Sequence, residues 1–191
     1  MILETKNLWL KTTEQQDVNA LHENYWSDLN SARVNIWRAS QSLQDSEKKM
    51  REMFDTHNSL FFTIVKKDTK QDIGMLTITR NKDDEKKIDN IGIGFSNNEV
   101  HKGYGSEVLL TAIEFCFGRV KAESVGVSYL KNVGVSDNIK KMFGFEDDSS
   151  RETEIKRENS NEKLEIVNLI LTKDKWEKQK ALIRGGKQES K

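Results

Sequence analysis

The residues whose types and spacing suggest chemistry are few, and one group stands apart. Gly103 and Gly105 lie in NNEVHKGYGSE, between an apolar run, DNIGIGFS (89–96), and a helical pattern of Val108, Leu109, Ala112, Ile113, Cys116 and Phe117. A glycine reaches positive φ freely and lets an anion approach the backbone. A helix starting there adds unpaired N–H groups and the positive end of its dipole. The chemistry such a context could support is phosphate binding by exposed backbone N–H groups of NNEVHKGYGSE, with Lys102 adding charge. The spacing is neither GxxxxGK[ST] nor GxGxxG, so an ordinary glycine turn is the competing reading.

Other reactive residues carry little. Cys116, the single cysteine, lies in the apolar run AIEFCF and reads as a buried structural thiol rather than a nucleophile or ligand. His22 and His57 have no carboxylate or cysteine at metal-ligand spacing, so no metal is expected. His101 offers its amide to the loop.

Composition narrows the partners. Lys+Arg and Asp+Glu number 31 each, which favours neither nucleic acid nor an anionic membrane. No run approaches the ~18–20 apolar residues of a membrane span, and MILETKNLWLK lacks the order of a signal peptide. A cytoplasmic protein, monomer or homodimer, is expected.

The elements that must position the loop follow from periodicity. Residues 2–10 alternate as one strand, and Thr13 caps a helix carrying Val18, Leu21 and Tyr25. SLQDSEKKMREMF (42–54) is a further helix. Residues 59–67 and 73–81 form a hairpin, followed by the strand 89–96, the loop and its helix. ESVGVSYL (123–130) is a strand, SDNIKKMFGF (136–145) a short helix ending at Gly144, and RENSNE the turn of a late hairpin. This order predicts an α+β fold with a mixed, mostly antiparallel sheet of about seven strands flanked by helices. The domain is expected over 1–172, with a helical or disordered tail over 173–191.

Four segments together resemble the GNAT superfamily of N-acetyltransferases and, within it, the Rim-type branch: LETKNLWL, IVKKDTKQDIGMLTI, NIGIGF…HKGYGSEVL and SDNIKKMFGFE. The eleven positions from Gly92 to Gly103 match the family's separation of strand and loop glycines. The resemblance implies acetyl-CoA as co-substrate, its pyrophosphate on Val100–Ser106 and its pantetheine along Ile91–Ser96, with Ile93 and Phe95 beside the thioester and Ser96 closing the strand. Trp26 and Trp37 fall where such folds form the acceptor wall, although core packing is the alternative for both.

Departures from the family pattern bear on catalysis. Asn90 replaces a glutamate that handles the amine's proton; an amide is no base, so Asn90 is expected to orient the acceptor or a water. The family's asparagine slot falls on Val133, one residue from Asn132, and either Asn132 reaches the cofactor or backbone suffices. The usual tyrosine acid is Lys140 here, leaving Ser136 as general acid, as helix N-cap, or as both. The expected reaction is direct attack of a primary amine, on a protein N-terminus or a small molecule, on the acetyl thioester. The alternative is a weakly active or inactive acyl-CoA-binding regulatory module.

Overall fold

The computed structural model describes residues 1–133, 136–158 and 160–185, without the side chains of residues 136, 137 and 183–185. The sheet has nine strands among these residues: β1 (Ile2–Glu4), β2 (Leu8–Thr12), β3 (Ser59–Lys66), β4 (Asp72–Arg80), β5 (Lys87–Phe95), β6 (Ser124–Leu130), β7 (Glu146–Asp147), β8 (Glu154–Lys156) and β9 (Lys163–Thr172). The order is β1-β2-β3-β4-β5-β6-β9-β7, with β8 also on β9. All neighbours are antiparallel except β5 and β6.

The fold class agrees with the sequence reading, but the strand count rises from about seven to nine. The expected single strand over 2–10 is a hairpin, because Thr5 N–H bonds Leu8 O at 3.0 Å and turns the chain. Leu3 then pairs with Leu10. The two-residue β7 is too short to leave a pattern in the sequence.

Helices cover both faces. On one face lie α4 (Tyr104–Phe115), α5 (Ser136–Phe143) and α6 (Lys173–Gly185). The main core there joins Leu10, Phe62, Ile64, Leu76 and Ile91 to Val108, Ile113, Phe143 and Trp176. On the other face are α1 (Val18–Leu21), α2 (Leu29–Arg33) and α3 (Leu43–Phe54), with a second core of Val18, Leu21, Tyr25, Trp26, Met50 and Met75.

The helix expected from Thr13 starts differently. Thr13 is buried and its N–H pairs with Phe61 O at 2.9 Å. Asp17 instead receives the Glu14 N–H at 3.0 Å and the Thr63 hydroxyl at 3.0 Å, with Lys11 Nζ 3.0 Å away. The helix then widens over His22–Trp26, an irregularity that often accompanies function.

Candidate active site

Among the described residues β5 and β6 are the only parallel neighbours, and their ladder holds just two register pairs, Lys87↔Ser124 and Ile88↔Val125, before the strands diverge. Beyond it, most of one backbone edge of β5 lacks a neighbouring strand. Two residues set the divergence. Gly126 lies so close to Asp89 that an added Cβ would meet the Asp89 carbonyl oxygen at 2.3 Å. Asn90 then bridges the opening: its Oδ1 accepts the Ser128 N–H at 2.9 Å, where a continuing strand would have offered a backbone carbonyl.

A bulge accompanies this fork. Thr79 pairs with Asn90 but Arg80 pairs with Ile88, leaving Asp89 unmatched. Ile88 and Ile91 consequently both face the main core, and Asn90, Gly92 and Gly94 share the opposite face. The Asp89 carboxylate is occupied by Asn81 Nδ2 at 2.9 Å.

The glycine loop follows β5. Ser96 N–H bonds Ile73 O at 2.8 Å and opens a single turn, Asn97–Glu99. Glu99 is only 9% exposed and pairs with Lys102 Nζ at 3.0 Å and Lys66 Nζ at 3.7 Å. Lys102 therefore has its charge matched within the loop, and Glu99 is no isolated base. His101 (φ 62°) and Gly103 (φ 82°) both take the left-handed conformation, the conformation from which backbone anion-binding nests are built. Gly103 is the N-cap of α4 and brings no side chain to its first-turn amides. A Cβ there would meet nothing within 4 Å, and at Gly105 only Phe95 Cε2 at 4.0 Å. Val100 is exposed, while Ile93, Phe95 and Tyr104 are half-buried against the main core below the loop. Phe95 and Tyr104 rings lie 6.3 Å apart.

Glu107, in the first turn of α4, fixes that helix to the β1–β2 turn. It accepts Asn7 N–H at 2.5 Å, Asn7 Nδ2 at 2.8 Å and the Thr5 hydroxyl. Burial alone would raise its carboxyl pKa, but these bonds and Lys6 outweigh that and hold it below the ordinary glutamate value.

Asp28 joins the second face to the same loop. It caps α2 by accepting Asn30 N–H at 2.9 Å, and it accepts Asn97 N–H at 3.0 Å. Ser31 Oγ lies 2.8 Å from Asp28 Oδ2 and 3.0 Å from Phe95 O. Burial opposes the charge here too, yet the bonds from Ser31, Asn97 and Asn30 win and lower the pKa.

Between these anchors lies a trough over Gly92. The nearest neighbours to a Cβ at that position are Asn90 Nδ2 at 3.3 Å and Thr77 Cβ at 3.8 Å. Gly94 is instead covered: the Tyr25 hydroxyl stands 1.7 Å from where its Cβ would be. Tyr25 is 3% exposed; burial raises its pKa, while a hydrogen bond from Trp37 opposes the shift. Its ring meets that of Trp37 edge-on at 5.0 Å. Of the two tryptophans expected at the acceptor wall, Trp37 is half-buried beside Tyr25, whereas Trp26 is 2% exposed and packs in the second core. The sequence pattern marks Tyr25 only as a helical core position; Gly94, which makes room for it, is the available clue.

The β8–β9 hairpin holds this wall from the far side. Arg157 Nη1 donates to Asn35 O at 2.6 Å and Ala32 O at 3.1 Å, and its Nε pairs with Glu162 at 2.7 Å. Glu158 accepts the Arg38 N–H at 3.1 Å. At the fork, the Ser128 hydroxyl donates to Asn168 Oδ1 at 2.7 Å and Asn168 Nδ2 donates to Glu152 O at 2.7 Å. Sequence reasoning missed this network, since Ser128 and Asn168 come from an alternating pair of strands with no motif around either.

Asn132 is exposed in the single turn Lys131–Val133 after β6 and borders a cleft of about 360 Å³. Val133 packs with Leu130, Leu164 and Ile166. Ser136 begins α5, and its side chain lies outside the described residues. Lys140 pairs with Asp147 at 2.6 Å. Among the described residues no group of His, Cys, Asp and Glu could hold a metal ion, and no helix is long and apolar enough to cross a membrane.

The family model described as an acetyltransferase (GNAT) domain matches residues 7–146. No curated protein matches in sequence. Among solved structures, a GNAT-family acetyltransferase from Bacillus anthracis is 18% identical, with a TM-score of 0.71 over 91% of this chain and 99% of that one. A candidate ribosomal-protein-serine acetyltransferase from Vibrio cholerae is 17% identical, with a TM-score of 0.70 over 90% and 97%. Spermidine N-acetyltransferase from Vibrio cholerae, solved with CoA and spermine, is 12% identical, with a TM-score of 0.72 over 89% and 98%. At these identities the likeness is one of fold.

Proposed function

Because the chain belongs to the GNAT acetyltransferase family, we propose that it transfers the acetyl group of acetyl-CoA directly to a primary amine, with a protein or peptide N-terminus as the favoured acceptor. The observation that carries this reading is the fork of β5 and β6 opening beside a glycine loop whose helix cap, Gly103, has no side chain and open space where a Cβ would be. That shape fits the co-substrate: Gly103 and Gly105 leave room for a pyrophosphate at the α4 N-terminus, and the open edge of β5 has backbone partners for an amide-bearing arm.

Each residue then has a role. Val100, His101, Lys102, Gly103, Tyr104, Gly105 and Ser106 hold the pyrophosphate, chiefly through backbone. Ile93, Phe95 and Ser96 flank the pantetheine end, and Asn132 lies at the mouth of the fork. When bound, acetyl-CoA supplies an acyl carbonyl activated as a thioester; the amine's lone pair forms the C–N bond as the C–S bond breaks. Backbone N–H groups near Ile93 steady the developing oxyanion, the proton shed by the amine passes to water, Ser136 gives its hydroxyl proton to the departing thiolate and recovers one from water, and no acyl-enzyme forms.

Asn90 takes a defined part. Ser128 N–H can only donate, so the Asn90 atom it meets is the oxygen, and the NH2 is turned toward Gly92. Asn90 thus offers the trough a donor, suited to a water oxygen or an acceptor carbonyl. The amine reaches the site neutral or loses its proton to water. Trp37, with Tyr25 behind it, forms the acceptor wall.

The test is calorimetric titration with acetyl-CoA followed by thiol release over an amine panel that includes peptide N-termini and polyamines. Micromolar binding, weakened at least tenfold by Gly103→Val, with thiol release on peptides, is expected. Binding without release on any amine favours the regulatory acyl-CoA module, and no binding refutes both.

A further inference from the structure

Arg151, in the connection between β7 and β8, has no place in the reading above. Its Nη1 donates to Asp89 O at 2.8 Å and stands 3.1 Å from where a Gly126 Cβ would be. Gly126 and Ser128 lie on the same face of β6, because the intervening Val127 and its neighbour Val125 face the main core. Arg151 therefore sits on the face of the fork that carries Asn90 and Gly92.

The charge around it is uneven. Arg157 is neutralised by Glu162 at 2.7 Å, and Lys49, 4.9 Å from the Trp37 ring centroid, pairs with Glu158 at 3.4 Å. The Asp89 carboxylate is turned to Asn81. Arg151 is half-buried and, among the described residues, has a backbone carbonyl as its partner and no carboxylate within 4 Å. A guanidinium carries five N–H donors in a rigid plane, and one of them is committed here. The rest suit a carboxylate, which a guanidinium binds through two parallel bonds.

We infer that Arg151 recognises a carboxylate on the acceptor, so that the amine acetylated belongs to an acidic molecule, such as a peptide with aspartate or glutamate just after its N-terminus, and not to a polyamine. This rests on the proposed acetyl transfer. Asp89, which Arg151 holds, precedes Ile93 by four residues, about 13 Å along a strand. A peptide extended from the thioester spans that length in three or four residues at about 3.3–3.6 Å each, and in fewer once an acidic side chain adds its own reach. One guanidinium beside an uncharged trough is a match for a monoanion; a second cation on the acceptor would meet Arg151 with repulsion.

The experiment compares three tetrapeptide amides with free N-termini, identical except for aspartate, asparagine or lysine at both the second and third positions. With the full chain and acetyl-CoA, kcat/KM is expected to be at least tenfold higher for the aspartate peptide than for asparagine, and lowest for lysine. Arg151→Gln should bring the first two within twofold, Arg151→Lys should keep part of the preference, and Arg151→Glu should make the lysine peptide the best substrate. Equal kcat/KM for the three in the unmodified protein, or a preference that survives Arg151→Glu, overturns the inference while leaving acetyl transfer intact. If no peptide turns over, the affinities of the three N-acetylated peptides for the CoA-loaded protein carry the same comparison, and equal or absent binding overturns it. Failure to bind acetyl-CoA at all overturns the proposed function as well.

Discussion

The side-chain oxygen of Asn90 takes the hydrogen bond from Ser128 N–H that a backbone carbonyl of β5 would take if the parallel ladder continued. One amide thus closes the ladder and leaves the rest of the strand edge open.

Removing that amide should cost stability and change the fork. Asn90→Ala leaves the Ser128 N–H without its partner, for a loss of about 1–2 kcal/mol in urea unfolding. Asn90→Asp keeps an oxygen for Ser128 and adds a carboxylate at the trough. The parent's kcat/KM should climb with pH toward the acceptor's pKa; the aspartate variant's profile should rise at lower pH. A parent profile flat from neutral to alkaline pH would argue against a water-assisted, baseless mechanism.

Gly92 and Gly94, two residues apart on one face, should respond unequally to alanine. At Gly94 the new methyl would collide with the buried Tyr25 hydroxyl, and overpacking of this kind costs about 1–3 kcal/mol, visible as a lowered Tm. At Gly92 the new methyl would stand 3.3 Å from Asn90 Nδ2, which must give by a few tenths of an ångström, so Gly92→Ala should lower Tm less than Gly94→Ala and show its main effect as a raised KM for the acceptor.

Glu107 makes stability depend on acid. Its folded pKa lies below the ordinary value, so its contribution is complete above the unfolded value of about 4.3 and is lost as pH falls from there through the folded pKa. Chemical denaturation between pH 6 and pH 3 should show this loss, and Glu107→Gln should be less stable at pH 6 with a shallower acid decline. Equal slopes would place the acid sensitivity elsewhere.

Cys116 is fully buried, and burial pushes its thiol up to about 12. Thiolate is the reactive form, so disulfide reagents at pH 8 should label the native protein no faster than it unfolds, and labelling should accelerate in step with urea. Immediate labelling without denaturant would contradict the buried position.

Much of this arrangement was legible in the sequence, for local reasons. The loop announced itself because Gly103 must take positive φ before a helix, and β3, β4, β5 and α4 follow their apolar periods. The fork did not, since Asn90 and Ser128 are 38 residues apart and meet only because Gly126 admits Asp89 O. The first hairpin read as a single strand because alternation persists on both sides of a turn made by Thr5, whose hydroxyl and N–H signals are side-chain and backbone contacts. Trp26 and Trp37 looked equivalent in the sequence; the wide turn at His22–Trp26 rotates the first into the core, and Arg157 and Glu158 hold the segment of the second.

The position of β9 has a consequence for synthesis. β6 meets β5 through two register pairs but meets β9 along its whole length, Ser124↔Thr172 to Leu130↔Ile166. As the polypeptide leaves the ribosome, β1 to β5 can pair in turn, each with the strand just made, while β6 must wait for a partner encoded roughly 40 residues later. At about 5–20 residues per second that interval is some 2–8 s. During it the half-finished sheet exposes the β6 backbone edge that β9 will pair with, which makes this the stage at which a nascent chain would most need a chaperone.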